Sequence, residues 1–441
     1  MSETLFLINE EERDMQPGNG KARLEKGNRY QVEMRTASLD EMIPAEHRVR
    51  VIWAMVELMD MSRFYARVKA IEGEAGRPAI DPRLLVGVWL YATQDKIGSA
   101  RELARLCEEN LAYRWLMGGI SVNYHTLADF RVDYESELDD LLTQGVAVLM
   151  KEGLVKIERT AQDGMRVRAN AGVGSFRGEG KLVVYLQKAQ EEVQKLKEQN
   201  RDDNTHSLRK QAAQERAARE KVERIKKSLE EIQKIKEKRA KSHHKKGDEK
   251  EPRSSSTDPE ARFMQMPAGE RRPAYNAQLD IDTESLIIVG VDVVNEIDPG
   301  QMDPMLETIH NNYGRYPQEH LVDGGFVTND DLESAFEKGI AVFAPLPKPR
   351  RKGQDPAKVR KEDGPGVRTW RERMTTAAAK EIYKERPATI ELANAQARNR
   401  GLRQFLVRGK RKARSVLLWF ALVHNILQIQ NLQKAQNLSV A

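Results

Sequence analysis

Residues 155–170 read VKIERTAQDGMRVRAN, and at this stretch the pattern of apolar residues changes from helical to alternating. The alternation predicts a β-strand. The residues on one side of it are Val155, Ile157, Ala161, Asp163, Met165 and Val167. A carboxylate on an apolar side is unfavourable unless it is paired or binds a metal ion. Asp-Gly is also a common turn pair, so a hairpin turn at QDG is the alternative for Asp163. The continued alternation through MRVRAN favours the strand.

The residues that follow alternate between strand and helix patterns. PAYNAQLDID (273–282) and LIIVGVDVVNE (286–296) predict a hairpin of two strands. Next come a helix (QMDPMLETIHNNYG), a strand (EHLVDGG), a helix (TNDDLESAFEKG), a strand (IAVFAPLP) and the helical stretch WRERMTTAAAKEIYKER. This order predicts an α/β fold, a mixed sheet with helices packed on it, over residues 154–430.

The residues before 154 have a different pattern. Residues 1–37 are polar and predict a flexible arm. Residues 38–153 carry helix-period apolar residues, with a Gly-Gly stop after YRWLM, and predict an all-helical domain of four or five helices. Residues 431–441 form a C-terminal tail.

A basic segment, residues 181–255, interrupts the predicted sheet between its first and second strands. Val222, Ile225, Leu229 and Ile232 keep a 3–4–3 spacing, which predicts a coiled-coil-like helical hairpin. Its tail, KSHHKKGDEKEPRSSSTDP, is expected to be flexible. The hairpin could be a solvated spacer, a contact to DNA phosphates, or a contact to a second protomer.

The composition excludes several classes of protein. The chain has 441 residues, a net charge of +6 and one cysteine, so neither a disulfide within the chain nor a cysteine-rich zinc site can form. The longest apolar run, VLLWFALV (416–423), is shorter than the ~20 residues of a membrane helix. The N-terminus carries acids where a secretory signal has bases. We expect a protein inside the cell, without a membrane partner, in which Trp370 and Trp419 belong to the core.

Two further carboxylates lie at positions where a catalytic or ligand-binding residue is expected. Asp323 ends the short strand HLVDGG, and ligands gather at the carboxyl ends of strands in open α/β sheets. The alternative is that Asp323 caps the next helix, but the TND sequence at 328–330 fits that role better. Glu391 shares a helix face with Asn394 and Arg398, among alanines that let the helix lie close to a sheet. The alternative for Glu391 is a solvent-facing surface residue.

Three converging carboxylates suit one chemistry well. Hard oxygen ligands hold Mg²⁺ and leave coordination positions for water and phosphate oxygens. Two such ions can activate the attacking oxygen and stabilise the leaving oxygen of a phosphodiester. The basic runs PKPRRK (347–352) and GKRKARS (409–415) would add phosphate contacts or lie on a solvated surface.

In several blocks from about residue 46 to 428 the chain resembles bacterial insertion-sequence transposases of the DDE type. The blocks GRPAIDPRLLVGVWLYA and YHTLADFR resemble the helical DNA-binding region of that family. RPAYNAQLDID resembles its second-strand region, and LVDGGF the block with the second aspartate. IYKERPATIELANAQARNRGLRQFLVRG resembles its C-terminal signature.

The resemblance implies a ribonuclease-H-like catalytic domain with the triad Asp163, Asp323 and Glu391 as catalytic residues and metal ligands. It implies two Mg²⁺ ions, for which Mn²⁺ could substitute. The residues assigned to DNA are Tyr383, Arg386, Asn394, Arg398, Arg400, His125 and Arg131. Four residues separate Arg386 from Glu391 where the family pattern has three, and Arg398 stands where many relatives carry lysine.

The implied activity is that of a DNA transposase. It would bind the terminal inverted repeats of its element and catalyse strand cleavage and transfer, as a homodimer on double-stranded DNA, in the cytoplasm at the nucleoid. The alternatives are a nuclease of the same fold that cuts without joining, and an inactive copy that only binds DNA. Strand-transfer products distinguish the first alternative.

Overall fold

The computed structural model describes residues 36–70, 78–202, 208–241, 251–349 and 355–440. The predicted arm lies outside the described residues except for its last two positions, as do the hairpin turn (203–207), residues 242–250 of the insertion tail, and part of PKPRRK. The chain divides at Met42, and Ile43 onward forms one compact unit.

Seven helices occupy the described part of residues 48–151. They are α1 (Arg48–Leu58), α2 (Ser62–Tyr65), α3 (Pro82–Gln94), α4 (Ala100–Glu109), α5 (Leu111–Leu116), α6 (Tyr124–Asp133) and α7 (Glu135–Lys151). The described part of this region is helical, with more helices than the four or five predicted. One reason is Asn110, whose side chain accepts the N–H of Ala112 at 3.0 Å and so starts a new helix within a run predicted as one.

The strands are β1 (Arg159–Arg168), β2 (Phe176–Arg177), β3 (Ser254–Ser255), β4 (Arg262–Gln265), β5 (Arg271–Asp282), β6 (Ile288–Val294), β7 (Glu319–Leu321) and β8 (Ala341–Phe343). The main sheet has the order β6–β5–β1–β7–β8, and β4 pairs with the first residues of β5. β5 is antiparallel to β1 and β6, whereas β7 is parallel to β1 and β8 parallel to β7. The predicted mixed α/β sheet is confirmed.

The strand prediction holds for Asp163, and the turn alternative is wrong. Asp163 lies opposite Leu279 in an unbroken antiparallel ladder, and Gly164 lies opposite Gln278. Val155 and Ile157 were predicted on the same strand but precede it. Ile157 has a φ of 53° and donates its N–H to Asp282, which removes it from the ladder although its side chain is buried.

The helices of the α/β part are α8 (Glu179–Asp202), α9 (Leu208–Lys241), α10 (Met302–Tyr313), α11 (Asn329–Glu337), α12 (Pro365–Thr375), α13 (Ala377–Tyr383), α14 (Glu385–Asn399) and α15 (Lys410–Val440). α14 packs on β1 and β5. The other face of β1 is covered as well, since Gln162 donates to the Gln301 carbonyl at 3.0 Å. Because both faces of β1 are covered, Asp163 stands in the middle of a layered structure.

Two helices, α8 and α9, lie in the chain between β1 and β5, where the inserted hairpin was predicted. α8 and α9 pack against each other through Leu182, Ala189, Val222, Ile225 and Ile232. The end of the insertion differs from its prediction as a flexible tail. Ser254 and Ser255 pair with β2 and are fully buried, and Asp258 is buried too.

α15 joins the helical region to the sheet. It packs against β6 on one side and against α3, α6 and α7 on the other. Trp419 is fully buried and donates its indole N–H to the Arg131 carbonyl at 3.0 Å, and Trp370 is also buried, so both belong to the core as predicted. In the part of the chain with described positions, α15 alone is long and apolar enough over Lys410–Lys434 to span a bilayer. Most of that stretch, 67%, is buried inside the protein, as in a core helix.

A buried polar cluster lies where β5, β1 and β7 meet. His320 and the Thr160 hydroxyl are 2.8 Å apart, and Asp280 stands 3.7 Å from the His320 ring. Burial raises the pKa of Asp280 to about 8 and lowers the pKa of His320 to about 3. At neutral pH both side chains are therefore uncharged, with the proton on the carboxyl group.

Candidate active site

Asp163 stands at the centre of the sheet, on the face of β1 that α14 covers. Its neighbours on that face, Ala161 and Met165, are fully buried. Arg386 donates from Nη2 to Oδ1 of Asp163 at 2.9 Å, and Asn394 donates from Nδ2 to Oδ2 at 2.8 Å. Burial raises the pKa of Asp163, and the positive charge of Arg386 offsets part of that rise.

α14 brings two of these partners to the strand from one side. Pro387 is tolerated because it lies in the first turn, where a backbone N–H has no helical acceptor. Ala393 and Ala397 are buried, which lets the helix approach β1 and β5 closely, as the alanine pattern predicted. The approach places Arg386 and Asn394 against Asp163.

Glu391 lies at the outer edge of the same helix. Its Oε1 accepts from Nη1 of Arg386 at 3.2 Å, and its side chain is 54% exposed. The Arg386 guanidinium therefore bridges two of the three predicted triad carboxylates. Asn394 points inward while Glu391 and Arg398 stay exposed, so the three residues predicted on one face divide between two environments.

Asp323 follows β7 by two residues and is exposed at the carboxyl end of that strand. It does not cap α11. Thr328 does so by accepting the Asp331 N–H at 3.1 Å. The charges of Asp323, Glu391 and Asp163 all act on the Tyr383 hydroxyl, whose pKa is raised chiefly by burial. Tyr383 thus lies within electrostatic range of all three carboxylates.

Two of the residues predicted to contact DNA are engaged elsewhere. Arg386 and Asn394 are buried and hold Asp163, so in this arrangement neither is open to a duplex. Arg398 is exposed and makes no ion pair with any residue whose position is described. Arg400 is half-buried at the end of α14 and donates to Gln396.

The two predicted DNA contacts of the helical region have opposite environments. His125 is exposed near the start of α6, with its ring 4.0 Å from that of Tyr124. Arg131 is buried, donates to the Gly98 carbonyl at 2.6 Å and lies over the Trp89 ring. The prediction of a DNA contact for Arg131 is therefore not supported, because its guanidinium is enclosed in the core.

The sequence did not predict a group of ion pairs at the start of α14. Arg159, the first residue of β1, pairs with Glu319 of β7 at 2.5 Å and with Glu385 at the start of α14 at 2.7 Å. It ties the two parallel strands to the helix that carries Arg386 and Glu391. Neither the charge pattern nor the spacing of these three residues signals the contact, because the chain separates them by up to 226 positions.

The basic residues of the run GKRKARS have different environments. Arg414 pairs with Glu135 at 2.7 Å and with Asp139 at 2.8 Å, so it joins α15 to α7 rather than facing DNA. Arg411 and Lys412 are exposed.

The three carboxylates fit a hard divalent cation by their chemistry, since oxygen donors of this type hold Mg²⁺ or Mn²⁺. Throughout the described ranges, however, no three acidic, histidine or cysteine groups stand close enough together to hold a metal ion. The cation between Asp163 and Glu391 is the guanidinium of Arg386. A metal ion bound by this set therefore requires Arg386 to move.

Comparison with known families gives two matches. A family described as a transposase domain (DUF772) matches residues 37–133, which hold α1 to α6. A second, described as a transposase DDE domain, matches residues 350–430, which hold α12 to α14 and the first part of α15. No significant match was found among curated proteins or among solved structures. The two separate matches support the assignment of the chain to the insertion-sequence transposases of the DDE type.

Proposed function

We propose that this DNA transposase binds the terminal inverted repeats of its element and cleaves and transfers DNA strands at a site formed by Asp163, Asp323 and Glu391. The observation that carries the proposal is the position of Asp163. A buried carboxylate on the central strand is held by two side chains of α14, and Asp323 and Glu391 act on the same tyrosine.

The topology of the sheet supports a ribonuclease-H-like catalytic domain. Three antiparallel strands (β6, β5, β1) continue into two parallel strands (β7, β8), and the candidate residues lie on β1, just after β7, and on a helix packed on β1. Asp323 lies at the carboxyl end of its strand, where chemistry gathers in open α/β sheets. The insertion lengthens one connection and leaves this order intact.

The three carboxylates would hold two Mg²⁺ ions, for which Mn²⁺ can substitute. When bound, the metal supplies activation of the attacking oxygen and stabilisation of the leaving oxygen of the phosphodiester. Asn394 orients Asp163 through its hydrogen bond, and Ala161 and Met165 keep water from the inner side of that carboxylate. Arg386, once released from Asp163, is placed to neutralise phosphate charge beside Glu391.

The helical region, residues 38–153, is proposed to recognise the element ends, with His125 exposed on α6. Tyr383, Arg398 and Arg400 would contact the duplex near the triad. Because two element ends must be brought together, we propose a homodimer in the DNA complex. We place the protein in the cytoplasm, at the nucleoid, where its substrate lies.

The test uses labelled duplexes that carry the ends of the element, incubated with the full-length protein and Mg²⁺. Asp163→Asn, Asp323→Asn and Glu391→Gln should each abolish cleavage at the element boundary while DNA binding survives. Asp303→Asn is the matched control, since Asp303 is an aspartate of α10 paired with Lys338. Cleavage that survives in any triad variant would overturn the assignment of that residue.

The same reactions distinguish the proposed transposase from a nuclease and from an inactive copy. Joined strand-transfer products support transposition, whereas cleaved ends without joined products would point to a nuclease. Binding without cleavage in Mg²⁺ and in Mn²⁺ would mark an inactive copy.

A further inference from the structure

A cleft of about 930 Å³ separates the inserted hairpin from the body of the protein. One wall is α9, and the other is formed by residues 257–260, 406–409 and Lys412, together with Ala128, Asp129 and Val132 of α6. Asn170, two residues beyond the end of β1, also lines it. We call it the insertion cleft.

The wall formed by α9 is anchored to the body. The Ser228 hydroxyl of α9 donates to the Ser255 carbonyl at 2.7 Å, in a fully buried contact. Glu231, four residues from Lys227 on the wall, forms an ion pair with Arg262 at the start of β4. The cleft is therefore a fixed part of the fold, because buried polar contacts hold the wall formed by α9 in place.

The cleft carries four exposed bases that form no ion pair with a described residue. Arg216 and Lys227 project from α9, and Arg408 and Lys412 from the opposite wall. None of these four makes a hydrogen bond or an ion pair with a residue of described position. They are exposed and available to an external anion.

Five of the six acids that line the cleft are already engaged, and the sixth, Asp129 of α6, is exposed. On α9, Glu215 pairs with Arg219, Glu220 with Arg224 and Glu223 with Lys226. On the opposite wall, Asp258 accepts the Gly409 N–H at 3.1 Å and Glu260 accepts the Lys410 N–H at 3.0 Å. Among the described residues of the lining, four exposed bases without an ion pair therefore stand against one exposed acid without an ion pair, Asp129.

Two guanidinium groups also face each other across the cleft. The pKa of Arg224 is lowered by burial and, in addition, by the positive charge of Arg408. Like charges in a partly enclosed space repel unless an anion lies between them. Their arrangement suits a phosphate group.

We propose that the insertion cleft binds the phosphate backbone of the DNA duplex on which the triad acts. This inference rests on the proposed function. None of the lining residues is aromatic, which favours a duplex over stacked single-stranded bases. Asn170 lies seven residues from Asp163, at most about 23 Å at ~3.3 Å per strand residue. That separation corresponds to about seven base pairs at ~3.4 Å each. One duplex can therefore reach both places.

The test compares two double variants of the full-length protein. Arg216→Gln with Lys227→Gln removes two bases of the cleft. Lys188→Gln with Lys195→Gln removes two exposed bases of α8, outside the cleft lining, and is matched in charge. Binding to an element-end duplex and to an unrelated duplex of equal length is measured by fluorescence anisotropy over a series of salt concentrations.

The cleft variant should reduce the slope of log K against log salt by about 1.8, since each lost phosphate contact contributes ~0.9. Its affinity for both duplexes should fall by the same factor, because phosphate contacts carry no base sequence. Arg408→Gln, from the opposite wall, should reduce the slope by about 0.9 more. The α8 variant should behave as wild type.

A cleft variant with the wild-type slope, or an equal change in the α8 variant, would overturn the proposal. If wild type binds and cleaves element ends while the cleft variant is unaltered, only the role of the cleft is refuted. If wild type shows neither salt-dependent binding nor cleavage, the proposed function itself fails.

Discussion

Replacing Arg386 with glutamine tests whether its guanidinium holds the candidate active site together in the absence of metal. The pair with Asp163 is largely buried, with side-chain exposures of 7% and 22%, whereas Glu391 is 54% exposed. Removing one partner of a buried pair costs about 3–5 kcal/mol of unfolding free energy. An exposed pair contributes only about 0–1 kcal/mol.

We expect Arg386→Gln to lose about 3 kcal/mol of unfolding free energy in metal-free buffer, at the lower end of the range for buried pairs. The lower end applies because Asp163 keeps some contact with water and keeps its hydrogen bond from Asn394. The assay is urea unfolding followed by far-UV circular dichroism. Arg398→Gln on the same helix is the control. Arg398 is exposed and forms no ion pair with a described residue, so this variant should change stability by less than about 0.5 kcal/mol.

In the second half of this experiment, the same unfolding measurements are repeated with a divalent metal ion added. In the variant, Mg²⁺ or Mn²⁺ can take the place that the guanidinium has left between Asp163 and Glu391. At a metal concentration ~100 times the dissociation constant, binding would restore about 2.7 kcal/mol. Wild type should gain less at the same concentration, because metal must first displace Arg386. Equal stability of variant and wild type without metal, or an equal gain with metal, would refute this reasoning.

Three further predictions concern the sheet and its packing. Gly164→Ala should destabilise the protein by about 1–3 kcal/mol in urea unfolding, because the added Cβ would overlap the Asp298 carboxylate. An unfolding midpoint equal to that of wild type would contradict this close packing at Gly164. Trp419→Ala should cost about 3–5 kcal/mol and leave the Arg131 carbonyl with one donor fewer, and a loss below 1 kcal/mol would place Trp419 outside the core. The raised pKa of Asp280 means that the folded state holds a proton which the unfolded state releases above pH ~4, so stability falls as pH rises towards about 8. From pH 6.5 to 8 wild type should lose about 2 kcal/mol relative to Asp280→Asn, and parallel pH profiles would contradict this.

Much of the fold was predictable because it depends on local periodicity. The alternation in residues 155–170 predicted β1, and the turn residues between two apolar runs predicted the β5–β6 hairpin. The 3–4–3 spacing predicted the seam of the inserted hairpin. Short-range signals also identified the cap at Thr328 and the stop at Gly118 and Gly119, both of which have positive φ. Each of these features depends on residues a few positions apart.

The sequence also indicated which residues belong to the candidate site, but their contacts were not predictable. Asp163 and Arg386 are 223 residues apart, and Asp163 and Asn394 are 231 apart. The docking of α14 on β1 decides that Arg386 and Asn394 hold a carboxylate in place of a phosphate. The same holds for Arg131, whose position in its motif suggested DNA and whose burial under α15 makes it structural.

The order of strands and helices, the insertion between β1 and β5, and the identity of the three carboxylates are properties of the sequence, because periodicity and motif spacing act over short distances. The bridging position of Arg386, the enclosure of Arg131, and the position of the exposed bases in the insertion cleft are properties of the tertiary structure. The physical reason is that the state of a charged group depends on burial and on partners within a few ångströms, and here packing brings those partners from distant parts of the chain.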